Sequence, residues 1–318
     1  MEPLAPGMRR VGALLRRLPG SSISSVKPED LAKMQATKAP EIFSSILQGP
    51  RVRGVGSVDR TVSVPGGDDI PIRIYRPKRA ATSPRPLVMY FHGGGWAVGD
   101  LRGGDWISGS VSDQLDAVVV SVEYRLAPSR PFPAGLDDCY AATEWAAANA
   151  EALGASSFLG VMGESAGGNL AAVVALMARD RKGLRIAHQA LMYPATGGGD
   201  TESRRANANE IVLTAEDMRV FGELYGGDPA DWRVSPLAAT SLAGLPPALI
   251  QVAGHDPLHD DGVLYASALR EAGVEVTLTE YPSMPHGFVN FPRFSRDAKP
   301  AIAEVVAAQR AALLVAGA

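Results

Sequence analysis

The sequence predicts an α/β fold: an eight-stranded, mostly parallel sheet with helices packed on its faces. Three observations carry this. Six short, nearly continuous apolar runs are spaced along the chain at Leu87–Phe91, Ala117–Val122, Phe158–Met162, Ala187–Met192, Ala248–Val252 and Val274–Leu278. Runs of this length without alternation read as strands buried on both faces, as in a parallel sheet. Helical stretches separate most of them, at about residues 104–114, 133–150, 165–180 and 260–272, with a last one at about 297–316, which is the rhythm of βαβ units. Finally, 318 residues that are 46% hydrophobic and only 20% charged can fill one large core and are too apolar for a disordered chain.

In chain order, the first element is amphipathic. Met8, Val11, Leu14, Leu15 and Leu18 share one helical face, and Arg9, Arg10, Arg16 and Arg17 share the other. Such a helix can rest on an acidic membrane or cover another part of its own protein, and the second is expected because two turns anchor weakly. Residues 20–50 read as polar and irregular, with a helix start at Pro28-Glu29-Asp30. Val58–Val64 and Ile70–Tyr75 alternate about Pro65-Gly66-Gly67-Asp68 and read as an antiparallel hairpin. The parallel strands follow. Between the sixth and seventh strands the rhythm breaks at Gly197–Tyr225, which opens Gly-Gly-Gly-Asp and becomes helix-like at Thr214–Tyr225. Residues 1–50 and 198–230 are therefore expected to form a helical cap over a catalytic core of residues 51–197 and 231–318.

Composition removes several function classes. One cysteine forms no intrachain disulfide and no thiolate zinc cluster, and Cys139, on a helix with Trp145, reads as an inert buried thiol. A net charge of -3 gives no basic field to attract nucleic acid. The first 20 residues lack an uninterrupted apolar segment, and the longest mostly apolar stretch, Ala166–Ala178, is 13 residues long, short of the ~20 that span a bilayer. The expectation is a cytoplasmic protein without stable membrane insertion.

The chemistry sits in loops after strands. Gly163-Glu164-Ser165-Ala166-Gly167-Gly168 joins the fifth strand to a helix. A serine there stands on a strained turn that exposes Oγ, the flanking glycines clear neighbouring backbone, and the helix N-terminus offers amide N–H groups to a developing oxyanion. His92-Gly93-Gly94-Gly95-Trp96 follows the third strand and lets the backbone approach a substrate oxygen; without a following lysine or a G-x-G-x-x-G pattern it is not a phosphate loop. A serine nucleophile needs a base and an orienting acid. Asp256 follows the seventh strand and His286 the eighth, and parallel strands deliver both to the same sheet edge as Ser165. Of the other histidines, His92 reads as a loop anchor and His188 begins a strand far from that edge. His255 and His259, with Asp260 and Asp261, could hold a metal, but one loop supplies too few converging ligands, so no metal or organic cofactor is expected.

Taken together, the sequence resembles the bacterial hormone-sensitive-lipase-like (family IV) carboxylesterases of the α/β-hydrolase superfamily. The resemblance runs from about Leu87 to Phe288 and rests on the ordered set His92–Trp96, Tyr124-Arg-Leu-Ala-Pro128, Pro131–Ala134, Gly163–Gly168, Tyr193-Pro194, Ser235-Pro236-Leu237, Asp256–Leu258 and His286–Phe288. It implies an α/β-hydrolase core with a cap. It also implies a serine esterase acting on short- to medium-chain acyl esters through an acyl-enzyme. Ser165 is then the nucleophile, His286 the base and Asp256 the acid. The N–H groups of Gly94, Gly95 and Ala166 form the oxyanion hole, and Trp96, Phe288 and residues of the cap are candidate walls of the substrate site, the cap limiting chain length. A homodimer is implied through the last strand. The sequence departs from the family at Ser129, His259 and Glu164, where Glu, Arg and Asp are common. The rival readings are a non-catalytic receptor on the same fold, disfavoured by the presence of His286, and amide hydrolysis by the same triad.

Overall fold

A computed structural model describes residues 2–17, 22–36, 48–64 and 67–315. The sheet consists of β1 (Val55–Val62), β2 (Ile70–Pro77), β3 (Arg85–Phe91), β4 (Val118–Val122), β5 (Ala155–Glu164), β6 (Ile186–Met192), β7 (Ala248–His255) and β8 (Val276–Pro285). Their order across the sheet is β1-β2-β4-β3-β5-β6-β7-β8. β1 pairs antiparallel with β2, β2 antiparallel with β4, and every later pair is parallel. This is the α/β-hydrolase sheet, with all eight expected strands present.

The helices among the described residues are α1 (Pro6–Leu15), α2 (Pro28–Ala36), α3 (Asp105–Leu115), α4 (Ala134–Ala148), α5 (Ala166–Arg181), α6 (Glu202–Ala206), α7 (Ala215–Tyr225), α8 (His259–Glu271) and α9 (Ala298–Val315). The sheet separates two cores, because side chains on one strand alternate between its faces. Leu87, Met89 and Phe91 of β3 join α4, α5 and α8 on one side. Val88 and Tyr90 join α1, α3 and α9 on the other. β3 is buried along its whole length, which is why its sequence shows an unbroken apolar run rather than alternation.

The helix start expected at Pro28-Glu29-Asp30 is the first turn of α2; proline suits a first helical position because its missing N–H needs no partner there. Two strands differ from expectation. β5 and β8 outrun their apolar runs. β8 ends the sheet and is half exposed, so Thr277, Thr279 and Glu280 are tolerated in it. Leu18, Pro65-Gly66, residues 37–47 of the expected cap and residue 316 lie outside the described residues.

The N-terminal segment and the insertion lean on each other above the strand ends. α1 turns Met8, Val11 and Gly12 inward, Gly12 against Ile211, and leaves its four flanking arginines exposed. α7 begins with a capping box: Thr214 Oγ1 accepts from the Asp217 amide at 3.0 Å, and Asp217 Oδ2 accepts from the Thr214 amide at 3.2 Å. The other oxygen of Asp217 accepts from Ser22 Oγ at 2.6 Å and from the Ser24 amide at 3.0 Å. No helix among the described residues is long and apolar enough to cross a membrane.

Candidate active site

β5 passes into α5 through one residue, Ser165, at φ 57° and ψ -120°. L-residues rarely adopt this conformation, which costs on the order of 1–3 kcal/mol. The reversal is possible because the backbone crowds in where side chains are missing. A Cβ on Gly163 would run into the Gly167 backbone, and one on Gly167 into the carbonyls of Phe91 and His92. The Ser165 amide donates to the Met192 carbonyl of β6 at 2.9 Å, fixing the turn to the sheet.

Two strand ends bring the other groups. Asp256 follows β7 and His286 follows β8. The imidazole bridges them: Nδ1 lies 2.7 Å from Asp256 Oδ2, and Nε2 lies 2.8 Å from Ser165 Oγ. Asp256 is fully buried, and its Oδ1 accepts from the Leu258 amide at 2.8 Å. The carbonyl of Asp256 accepts from Asn207 Nδ2 of the insertion at 3.1 Å. The Tyr193 ring meets the His286 ring edge-on, with centroids 5.0 Å apart. The three residues separated by 91 and 30 positions in sequence therefore share one hydrogen-bonded line.

The glycine loop after β3 lies alongside. Gly94 and Gly95 have φ of 111° and 57°, and a Cβ on Gly95 would enter the Phe221 ring. The first-turn N–H of Ala166 has no acceptor within its own helix. His92 is an anchor, as expected: it is buried, stacks on Tyr124 at 4.3 Å, and places Nδ1 2.8 Å from the Gly93 carbonyl. Burial holds its imidazole below the usual histidine range, which favours the neutral ring. Glu164, next to the serine, is buried and accepts from the Gly93 amide at 2.6 Å. Burial pushes its carboxyl up, while donors at Gly93, Asn290 and Tyr90 pull it back.

A cavity of about 630 Å³ opens onto this line. Gly94, Gly95, Trp96, Ser165, Ala166 and His286 face it, but Phe288 does not. Phe288 is fully buried against Tyr193 and Tyr281. Gly287, at φ 71°, turns the chain into a short 3-10 turn that sends residue 288 into the core beneath the histidine, and Phe291 reaches the cavity instead. The cap residues expected on the wall, unnamed in the sequence reading, are Ala215, Met218, Phe221 and Gly222 of α7 with Val212 and Leu213. Their helical spacing was visible in the sequence; the surface they would face was not.

The remaining candidates lie elsewhere. His255 sits between Glu210 at 3.0 Å and the Glu2 carbonyl at 2.7 Å, whereas His259 faces Asp260 and Glu280. Asp261 accepts from the amides of Thr196, Gly197 and Gly198 and from Arg204, anchoring the start of the insertion. These side chains diverge, and among the described residues no three His, Cys, Asp or Glu side chains surround a common point. Cys139 is buried in α4, and desolvation pushes its thiol up. His188 is buried in β6.

Residues 88–290 match the family model described as alpha/beta hydrolase fold. The chain is 43% identical over 241 residues to the carboxylesterase NlhH of Mycobacterium tuberculosis, covering 73% of this chain and 75% of that one. It is 33% identical over 300 residues to the ethyl acetate hydrolase of Pseudomonas putida, covering 91% and 93%. Among solved structures, it superimposes with a TM-score of 0.88 on the ester hydrolase EH1AB1 from the metagenome of Lake Arreo, complexed with a bipyridine phosphonate derivative, at 35% identity over 97% of this chain and 98% of that one. The sheet order, the serine at the β5–α5 turn and these relationships converge: the chain belongs to the hormone-sensitive-lipase-like carboxylesterases of the α/β-hydrolase superfamily.

Proposed function

We propose that the chain hydrolyses short- to medium-chain acyl esters of small molecules, with Ser165 as nucleophile, His286 as general base and acid, and Asp256 as orienting carboxylate. The observation that carries this is the imidazole of His286, held between Ser165 Oγ and Asp256 Oδ2 within hydrogen-bond distance of both. Nε2 takes the hydroxyl proton as Oγ attacks the ester carbonyl carbon. The carbonyl oxygen becomes an oxyanion, which the amides of Gly94, Gly95 and Ala166 receive. Collapse expels the alcohol, which leaves with the proton from Nε2. Water then attacks the acyl-serine by the same proton path, releasing the acid and restoring Ser165.

Residues 1–50 and 198–230 act in this reading as a cap over the core of residues 51–197 and 231–318. The support is the position of α7 on the cavity wall and the hydrogen bonds of Asp217 to Ser22 and Ser24. A volume of about 630 Å³ lies within the range of small-molecule sites, which supports a compact ester. The Pseudomonas putida relative, named for an acetyl ester, agrees with a short acyl group. In a p-nitrophenyl ester series, kcat/KM is expected to peak between butyrate and octanoate and to fall for longer chains. Faster turnover of an emulsified long-chain triglyceride than of soluble butyrate ester would overturn the chain-length assignment.

A further inference from the structure

Glu164 touches no reacting atom, yet its carboxyl group joins the three segments that do. Its backbone ends β5, directly before Ser165. Oε1 accepts from the Gly93 amide at 2.6 Å and from the Tyr90 hydroxyl at 3.3 Å. Oε2 accepts from Asn290 Nδ2 at 3.2 Å. Gly93 leads into the oxyanion loop, and Asn290 closes the 3-10 turn that begins two residues after His286. The packing is as close as the hydrogen bonding, since a Cβ on Gly93 would run into this carboxyl group.

The chemistry of the partners is one-sided. An amide N–H, a carboxamide NH₂ and a phenol all donate here, and only an ionised carboxylate accepts from all of them without offering a proton of its own. Among the described residues no arginine or lysine forms an ion pair with Glu164, although it is 6% exposed. Burying an unpaired charge costs stability. Desolvation accordingly pushes its carboxyl up, so folding is opposed by its ionisation at pH values above its folded pKa.

We propose that Glu164 is a positioning residue: its carboxylate holds the Gly93–Gly95 loop, and through Asn290 the His286 loop, in the arrangement that the tetrahedral intermediate requires. This rests on the esterase reading above. Glu164 contributes one edge of the cavity, but the donors it holds act on the developing oxyanion, so its removal weakens the transition state more than the bound substrate.

The test compares wild type with Glu164→Gln and Glu164→Asp. In the glutamine variant Oε1 can still accept from the Gly93 N–H, but the NH₂ then faces Asn290, whose carboxamide must turn to offer Oδ1 instead of Nδ2, so the link to the His286 loop is rebuilt with a weaker, neutral acceptor at Gly93. Steady-state kinetics on p-nitrophenyl butyrate are measured together with inhibition by an alkyl trifluoromethyl ketone, which adds to the serine and forms an oxyanion. The matched unactivated ketone, which only fills the cavity, serves as the ground-state probe, and melting temperature is recorded for each protein. Expected for Glu164→Gln is a kcat lowered roughly 10- to 100-fold, below the ~10²–10³ for deleting an oxyanion donor outright. KM should stay within about twofold. Affinity for the trifluoromethyl ketone should fall by the same factor as kcat/KM, affinity for the plain ketone should hold, and a cooperative melting transition above the assay temperature shows that the loss is not unfolding. Glu164→Asp, one methylene short, should recover part of kcat. Unchanged kcat, or parallel weakening of both ketones, overturns the proposal. If Glu164→Gln does not fold, Glu164→Asp carries the same comparison, because it shortens the reach to both Gly93 and Asn290, and unchanged kcat there is equally fatal. Failure of wild type to turn over the ester would instead sink the esterase reading.

Discussion

Ser165→Ala is expected to lower kcat on p-nitrophenyl butyrate by about 10⁶-fold, the scale seen when a serine hydrolase loses its nucleophile. The expectation follows from what remains. Without Oγ no acyl-enzyme forms, and His286 has nothing to deprotonate but water. The amides of Gly94, Gly95 and Ala166 still favour an oxyanion, so a residual rate above that in plain buffer persists. The fold should hold, because alanine fills no new space and the turn is set by Gly163 and Gly167. Ser165→Gly separates backbone from chemistry: it should be equally inactive yet more stable, since glycine tolerates φ 57° without the side-chain penalty. An ester assay, labelling by a fluorophosphonate and a melting curve read all three quantities. Full activity in Ser165→Ala, with no labelling at residue 165 in wild type, would end the assignment.

Asp256→Asn is expected to reduce kcat by about 10⁴-fold with little change in KM. The geometry shows why an isosteric change is so costly. Asp256 accepts from two sides: Oδ1 from the Leu258 amide and Oδ2 from His286 Nδ1. An asparagine must turn its carbonyl oxygen to the Leu258 N–H, which leaves its NH₂ facing Nδ1. The ring then carries its proton on Nε2, where it points at Ser165 Oγ and cannot accept the proton of the attacking hydroxyl. The imidazolium formed in the transition state also loses its buried counter-charge. Steady-state kinetics on the folded variant decide the matter, and a kcat within tenfold of wild type would remove Asp256 from the line.

Much of this site was legible because its residues sit where strands end. Ser165, Asp256 and His286 each follow an apolar run, and a parallel sheet sends those ends to one edge whatever the helices do. Strand order was less legible: β4 lies between β2 and β3, and apolar runs do not record which neighbour a strand pairs with. Phe288 shows the limit at single residues. The resemblance implies a place on the cavity wall for its side chain, but the left-handed turn at Gly287 sends it into the core instead. Glu164 was noticed as a departure in the sequence, yet its partners Gly93 and Asn290 are 71 and 126 positions away, and only folding places them around it. The insertion was the least readable part, since the helix face of Met218 is defined by a cavity and not by a sheet.

The two-sided grip of Asp217 bears on how such enzymes diversify. One oxygen of this carboxylate starts α7, and the other holds Ser22 and Ser24 from the opposite end of the chain. Ser165, Asp256 and His286, by contrast, follow strand ends. A new substrate preference can therefore be grafted on by exchanging the insertion without disturbing the sheet, but the exchange is a two-piece transplant. A foreign insertion lacking a matching acceptor would strand the donors of the N-terminal segment, so a working exchange carries both pieces, which lie almost two hundred residues apart.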